Sequence, residues 1–275
     1  MLDSFRADAK QILMRLIFVL LISPIFLTAC VTSPLGRRQL HLMPTQQMNS
    51  MGSTAFGQIK EKQKLSKNKK EKDYVHCIVD RLSAAMDREQ TWDTAVFVSE
   101  EPNAFALPGG HVGVQTGMFK VAKTPDQLAA VIGHEMGHVL AEHGNERISQ
   151  ALAVQGALVV TDAALQLKGE KRGLLLAALG LGAQFGVLLP YSRIQESEAD
   201  LIGQKLMANA GFDPRAAIEL WRNMESLGGN QPPQILSTHP AHQTRMKALT
   251  ANLTKVMPLY ESAIQSHTVT ECKLP

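Results

Sequence analysis

The feature that most constrains this chain is a pair of histidines four residues apart in an apolar stretch, His134-Glu135-Met136-Gly137-His138. In an α-helix, residues at this spacing lie one above the other on the same face, so their imidazoles can reach one point in space. Imidazole nitrogens that converge in this way are typical ligands of tetrahedral zinc, at about 2.0–2.1 Å. Glu135 can then act as a general base on water without binding the metal. The motif predicts a metal-binding helix.

The residues around the motif carry the start and stop signals of a helix. Thr124 and Pro125 are typical of an N-cap and a first helical residue, and Asp126 and Gln127 add a first-turn acid and a capping-box side chain. Gly144 is the predicted C-terminal stop. An ordinary surface helix with two solvated histidines is the alternative. The apolar stripe that favours a packed helix consists of Leu128, Ala129, Val131, Ile132, Met136, Val139 and Leu140.

The N-terminal residues indicate export and lipidation. An apolar run after Met14-Arg15 ends in Leu27-Thr28-Ala29-Cys30, which resembles the bacterial lipobox. We therefore predict a lipoprotein signal peptide at residues 1–29, a lipid-anchored tether at 30–44 with the lipid on Cys30, and one folded domain at 45–275. A plain secretory signal with a coincidental cysteine is the alternative. Val31 is not the aspartate that retains many lipoproteins in the inner membrane. The expected location is the bacterial periplasm, anchored to a membrane, with the outer membrane preferred.

Cysteine count and charge limit the remaining possibilities. If Cys30 is modified, Cys77 and Cys272 are left as an even pair, which in an oxidising compartment is a candidate disulfide. Two unpaired buried thiols are the alternative. The net charge of +3 over 275 residues is small, and no nucleic-acid-binding motif is present, so we predict no nucleic-acid partner.

The pattern along the rest of the chain predicts an α+β fold, mostly helical with a small sheet. A short strand is expected at Thr94–Val98. A hairpin is expected from Asn103–Leu107 and His111–Gln115 around the turn Pro108-Gly109-Gly110, and an extended peptide can add to such a hairpin as an extra strand. Two apolar segments in 151–190 are either a transmembrane hairpin or Ala- and Gly-rich helices buried near the motif, and their short length and polar residues favour the second.

A catalytic zinc needs a third protein ligand and an open position for water. Glu196 and Asp200 are four residues apart in a predicted helix. One carboxylate can bind the metal while the other accepts the N–H of a ligand histidine, which fixes the tautomer of that histidine. His143 points about 140° away from His138 around a continuous helix, so it is rejected as a ligand and given a capping or packing role.

Four stretches together resemble the zinc metallopeptidase family of the CAAX prenyl proteases and the heat-shock protease HtpX, in its periplasmic lipoprotein branch. They are Asn103–Gly110, His134–His143, Glu196–Asp200 and Ser237–Arg245. The resemblance implies a gluzincin-like HExxH domain over 45–275 and one Zn²⁺ per chain. It also implies Glu196 as the third ligand beside His134 and His138, and Asp200 as a supporting catalytic residue. His239, in Thr238-His239-Pro240, becomes either a displaceable fourth ligand or an oxyanion stabiliser.

These assignments predict metal-assisted peptide hydrolysis. Glu135 takes a proton from the attacking water and delivers it to the leaving amine, while His239 or Arg245 helps to hold the oxyanion. The substrate is expected to lie extended along Gly110–Val114. The predicted partners are misfolded or unassembled envelope polypeptides, a membrane through Cys30, and the outer-membrane assembly machinery. Two alternatives remain: an envelope chaperone or assembly factor that binds polypeptides with little cleavage, and a zinc hydrolase that acts on a non-peptide substrate.

Overall fold

The computed structural model describes residues 30–86, 90–165, 191–226, 235, 239, 243–266 and 271–275. These residues form a mostly helical α+β fold, as predicted. The helices are α1 (Thr45–Lys62), α2 (Lys69–Ala84), α3 (Pro125–Leu140), α4 (His143–Leu165), α5 (Arg193–Asn209), α6 (Ala216–Ser226) and α7 (Gln243–Ser266). The strands are β1 (Cys30–Thr32), β2 (Arg38–Leu40), β3 (Asp93–Phe97), β4 (Ala104–Leu107) and β5 (His111–Gln115), with a 3₁₀ helix at Thr116–Lys120.

The predicted hairpin is part of a three-stranded sheet of order β3-β5-β4. β4 and β5 pair antiparallel across the Pro108-Gly109-Gly110 turn, where both glycines have positive φ angles of 91° and 85°. β3 pairs with β5 in parallel. Because β5 has a partner on each side, its backbone cannot receive a further strand. β4 is the edge strand of the hairpin.

The helix that carries the motif, α3, starts where the sequence predicts. Thr124 is the N-cap, and its hydroxyl accepts a hydrogen bond from the backbone N–H of Gln127 at 3.2 Å. The predicted stop at Gly144 is wrong. α3 ends at Leu140, and α4 begins at His143 after Glu142, whose φ of 52° is left-handed. The chain reverses direction at Glu142. A prediction that looks for glycine at the C-terminal end of a helix does not detect such a residue.

α3 and α5 cross with their backbones in direct contact. A Cβ on Gly137 would lie 2.7 Å from the carbonyl oxygen of Ala199, and one on Gly203 would lie 2.7 Å from the carbonyl carbon of Gly133. No side chain fits at these points, so the two helices approach as closely as backbones allow. The surrounding apolar core includes Ile78, Leu128, Ile132, Met207 and Leu220. This contact brings the HExxH residues of α3 beside the carboxylates of α5.

Residues 30–44, predicted to be a tether, are folded onto the domain. β1 and β2 form an antiparallel hairpin in which Cys30 lies opposite Leu40. We call residues 30–40 the N-terminal hairpin. Its Gln39 side chain donates a hydrogen bond to the carbonyl of Ala141, at the end of α3, at 2.8 Å. The predicted signal peptide at 1–29 lies outside the described residues.

Two further predictions concern the chain termini and the membrane. Cys77 on α2 and Cys272 near the C-terminus are joined by a disulfide, with a sulfur–sulfur distance of 2.01 Å. Most of the segment 151–190 lies outside the described residues, so its two alternatives stay open. Among the helices that the structure describes, none is long and apolar enough to cross a bilayer.

Candidate metal centre

Four buried side chains from three parts of the chain meet at one point. His134 and His138 lie one turn apart on α3, Glu196 lies in the first turn of α5, and His239 precedes α7. One ligand atom from each lies within 4.8 Å of the others. α5 starts at Arg193, where Ser192 and Gln195 form a reciprocal capping box. This cap fixes the position of Glu196 in the first turn of the helix.

The distances among these atoms fit a zinc ion. Ligands at about 2.0–2.1 Å around a tetrahedral zinc lie roughly 3.3–3.4 Å from one another. The Nε2 atoms of His134 and His138 are 3.1 Å apart, and the carboxylate oxygens of Glu196 lie 3.5 and 3.4 Å from them. His239 Nδ1 lies 3.2 Å from His134 Nε2 and 2.9 Å from Glu196 Oε1. Two imidazoles, a carboxylate and a third imidazole are also a donor set that zinc prefers.

The outer side of this cluster is held by an ion-pair network. Asp200 Oδ1 lies 2.9 Å from His134 Nδ1, which leaves the Nε2 of that ring directed to the centre. Arg245 binds Asp200 through two nitrogens, at 2.6 and 2.7 Å, and reaches Glu196 Oε2 at 2.8 Å. Its guanidinium also lies over the ring of Trp221 at 4.0 Å. Arg245 therefore supports two carboxylates behind the centre, and the prediction that it holds the oxyanion is not supported.

Burial and the neighbouring charges shift the pKa values of the buried histidine and carboxylates in opposite directions. Burial alone would lower the pKa of His134, but the carboxylates of Asp200 and Glu196 raise it to about 9. Burial would raise the pKa of Glu196, but three neighbouring imidazoles hold it far below its ordinary value. Burial opposes ionisation of Asp200, and Arg245 still holds its pKa below the ordinary value. Both carboxylates are therefore anions, which suits a cation at this point.

Glu135 is close to the centre but does not belong to the four-residue cluster. Its side chain is almost fully buried, and within the described residues its Oε1 has no hydrogen-bond partner. That oxygen lies 3.4 Å from His239 Nε2. A buried carboxylate oxygen without a hydrogen bond is costly, so this atom is available for a proton-bearing group in the site.

His143 lies behind the centre, contrary to the direction expected from a continuous helix. It is fully buried, and its Nδ1 lies 2.9 Å from His138 Nδ1. The 100°-per-residue argument fails because α3 ends at Leu140 and the chain reverses at Glu142 before His143. His143 is outside the four-residue cluster, as expected, but it contacts a member of that cluster instead of only capping a helix.

Tyr191 is a site residue that the sequence reasoning missed. Its ring stacks on His138, with ring centroids 3.9 Å apart, and on His239 at 5.4 Å. Burial raises the pKa of its hydroxyl. The sequence signal that could have identified Tyr191 is its position directly before Ser192, the N-cap of the helix that carries Glu196. His138 and Tyr191 form one wall of a cleft of about 290 Å³ whose other walls include Met48, Ala106, Pro108 and Asn145.

Comparison with known proteins identifies the family. A model of peptidase family M48 matches residues 69–253, which include the zinc helix and Glu196. The chain belongs to peptidase family M48. Members of this family are zinc metallopeptidases, so the predicted cofactor and the predicted enzyme class are confirmed at the level of the family.

The similar relatives include eukaryotic and bacterial metalloproteases. The mitochondrial metalloendopeptidase OMA1 of Schizosaccharomyces pombe is 38% identical over 179 residues, which cover 64% of this chain and 51% of the relative. OMA1 of Arabidopsis thaliana is 32% identical over 204 residues, covering 74% and 39%. The beta-barrel assembly-enhancing protease of Yersinia pestis is 28% identical over 184 residues, covering 63% and 37%. The chain thus spans about half, or less, of the length of these relatives.

These relatives contradict the predicted location. OMA1 proteases from six eukaryotes match at 32–38% identity and are mitochondrial, whereas the bacterial assembly-enhancing proteases match at 27–28%. The prediction of a bacterial periplasmic protein at the outer membrane is therefore wrong on this comparison. The lipobox resemblance is a local signal of four residues, and the comparisons extend over most of the domain. Cys30 is exposed, and its lipidation stays a prediction.

Proposed function

We propose that the protein is a zinc-dependent endopeptidase that cleaves extended segments of non-native polypeptides. The observation that carries the proposal is the convergence of His134, His138 and Glu196, with the buried Glu135 carboxylate beside them. The prediction that the substrates are envelope proteins depended on the location that the relatives contradict. The proposed substrate is therefore defined only by its chemistry, as an unfolded and extended polypeptide, and not by its location in the cell.

In this proposal each site residue has one role. His134, His138 and Glu196 hold the metal, and Asp200 fixes the His134 ring through its Nδ1. Zinc bound there supplies a Lewis acid that polarises the scissile carbonyl and lowers the pKa of water towards about 7. Glu135 Oε1 accepts the proton of the attacking water and returns it to the nitrogen of the leaving amine.

His239 is the residue that must move in this proposal. Four protein ligands close a tetrahedral shell, as in structural zinc sites, whereas hydrolysis needs one open position. His134, His138 and Glu196 are fixed on helices α3 and α5, and His239 lies between helices. We assign His239 as a displaceable fourth ligand, so the arrangement described here is the closed form of the enzyme.

The substrate path differs from the one predicted. β5, which contains most of Gly110–Val114, is paired on both sides, so it cannot bind a peptide strand. β4 is an edge strand, and its Ala106 lines the same cleft as His138. A peptide added to β4 would use main-chain hydrogen bonds, which recognise an extended chain with little preference for its sequence.

Zinc content and cleavage of fluorescein-labelled casein by the full-length purified protein test this proposal. Wild type should hold one zinc. Glu135→Gln should keep the zinc and lose about 100-fold or more of the cleavage rate. Glu196→Ala should lose both. Stoichiometric zinc with equal cleavage by wild type and Glu135→Gln would overturn the assigned mechanism. Zinc without cleavage in any form, with casein still bound, would favour the alternative of a polypeptide-binding factor.

A separate variant tests the role of His239. His239→Ala should retain zinc through the other three ligands and cleave casein several-fold faster than wild type, because one coordination position is then always open. A loss of about 10-fold or more with zinc retained would assign His239 to oxyanion stabilisation and contradict the displaceable role.

A further inference from the structure

The N-terminal hairpin lies before the part of the chain that matches the family model, yet it contacts α5, the helix that carries Glu196. The match begins at residue 69, and the hairpin comprises residues 30–40. Ser33 and Gln39 are buried, although the hairpin is otherwise mostly exposed. Arg37 forms two contacts with Glu146 on α4, at 2.6 and 2.7 Å. These contacts fix the hairpin against the domain.

The same hairpin holds a carboxylate on α5 that does not face the metal. Glu198 Oε2 accepts a hydrogen bond from Arg37 Nε at 2.8 Å, and Glu198 Oε1 accepts one from the hydroxyl of Ser33. Glu198 lies two residues after Glu196 on the same helix, so it points to a different side of α5. There its Oε2 also lies 3.2 Å from His143 Nε2.

A continuous chain of contacts therefore runs from the hairpin to a metal ligand. Glu198 contacts His143 Nε2, and His143 Nδ1 lies 2.9 Å from His138 Nδ1. His143 and Glu198 are both buried, so water does not compete for these contacts. We call Ser33, Arg37, Glu198 and His143 the hairpin relay.

Only one arrangement of protons satisfies this chain when His138 binds a metal through Nε2. A neutral imidazole then carries its proton on Nδ1, which must donate to His143 Nδ1. His143 in turn carries its proton on Nε2 and donates it to the Glu198 carboxylate. That carboxylate is acceptor-only and receives its other hydrogen bonds from Arg37 and Ser33. Each donor in the relay thus meets an acceptor.

The two histidines on α3 are held in different ways. The outer nitrogen of His134 contacts a carboxylate directly, at Asp200 Oδ1. The outer nitrogen of His138 reaches a carboxylate only through a second imidazole, and that carboxylate depends on the N-terminal hairpin. Such outer contacts fix ring orientation, and their loss weakens metal binding or activity about 10- to 100-fold.

We propose that Ser33 and Arg37 are positioning residues of the metal centre, which act through Glu198 and His143 on the His138 ring. The hairpin is then part of the functional unit, and displacing it lowers zinc affinity at a distance. The inference rests on the proposed role of His138 as a metal ligand.

Zinc dissociation constants of the full-length protein, measured by chelator competition, test the relay. Glu198→Gln and His143→Ala should each weaken zinc binding about 10-fold or more. Because both residues act through one chain of contacts, the double variant should bind zinc about as tightly as the single variant that binds it less tightly. If the two effects were independent, the two fold-losses of zinc affinity would multiply. The visible absorption bands of the Co²⁺-substituted protein should change in both single variants, since they report the geometry around His138.

Arg37→Met should also weaken zinc binding, because Glu198 then loses one of its hydrogen-bond donors. The matched control is Arg38→Met, the same chemical change on the exposed neighbouring residue. It should leave the zinc dissociation constant within about twofold and the Co²⁺ bands unchanged. Equal zinc affinity in wild type and Glu198→Gln, or equal zinc affinity in Arg37→Met and Arg38→Met, would overturn the relay. Failure of wild type to bind zinc would instead overturn the proposed function, and the relay with it.

Discussion

The metal centre is held from two sides by different forces. On one side α3 and α5 touch through backbone atoms at Gly133, Gly137 and Gly203, with no charge involved. On the other side the N-terminal hairpin is held through the guanidinium of Arg37 on two buried carboxylates. The first contact depends on shape alone, and the second depends on protonation and salt. The helix contact should therefore be insensitive to pH and salt concentration, whereas the contact of the hairpin should respond to both.

The largest expected effect is on the glycine contact. Gly203→Ala would place a Cβ 2.8 Å from the backbone nitrogen of His134, and no flexible side chain can move away. The helices that carry the ligands must then separate. We expect the free energy of unfolding to fall by about 2–3 kcal/mol, measured by denaturant titration, and zinc affinity to fall with it.

Gly57→Ala is the matched control. Gly57 lies inside α1, and a Cβ there meets nothing within 4 Å. Alanine is favoured over glycine within a helix by roughly 0.5–1 kcal/mol, so this variant should be as stable as wild type or slightly more so. A Gly203→Ala protein with wild-type stability would show that the close approach of α3 and α5 is not required.

A smaller effect is expected on the charged support. Arg37→Met leaves Glu146 and Glu198 without their cation, and their side chains are only 6% and 4% exposed. Arg37 itself is 25% exposed, so water screens part of the interaction. We expect the free energy of unfolding to fall by about 1–2 kcal/mol.

Arg38→Met removes the same charge from the neighbouring residue, which is exposed on β2. The free energy of unfolding should change by no more than about 0.5 kcal/mol, as for most surface substitutions. Equal losses in the two arginine variants would mean that net charge, and not the contact with the two glutamates, stabilises the hairpin.

The smallest expected effect is a difference in pH dependence between the stability losses caused by Arg37→Met and by Gly203→Ala. Burial would raise the pKa of Glu146, but Arg37 and Gln195 hold it below its ordinary value of 4.5. A carboxylate whose pKa is depressed by folding stabilises the protein above its ordinary pKa and loses that contribution as the pH falls below it. The penalty of Arg37→Met should therefore shrink as the pH falls below about 4.5, and at pH 7 it should shrink in 1 M salt. The Gly203→Ala penalty should be the same under all three conditions; parallel changes in both would contradict the distinction.

The sequence predicted the parts of the site that depend on local spacing. The i, i+4 histidines of α3, the N-cap at Thr124 and the turn at Gly109-Gly110 follow from short-range rules and appear where expected. Helical spacing also predicted that either Glu196 or Asp200 contacts a ligand histidine, and the family resemblance indicated that this residue is Asp200. Each of these signals lies within a few residues of the group that it positions.

The missed features depend on contacts distant in sequence or on an unusual backbone angle. Arg37 and Glu146 are 109 residues apart, and nothing in the local pattern of 30–44 indicates the pairing. The position of His143 depends on the left-handed Glu142, a residue that rarely adopts this conformation. The strand at Thr94–Val98 was predicted, but its parallel pairing with β5 was not, because a hairpin pattern does not report which strand lies beside it.

The most direct test of the central claim is a crystal structure of the zinc-loaded full-length protein, with anomalous data collected on both sides of the zinc absorption edge. We expect one strong zinc peak in contact with His134 Nε2, His138 Nε2 and a carboxylate oxygen of Glu196, with the Glu135 carboxylate nearby but not bound to the metal. A zinc peak elsewhere, or none at this cluster in protein that contains stoichiometric zinc, would contradict the proposed metallopeptidase site.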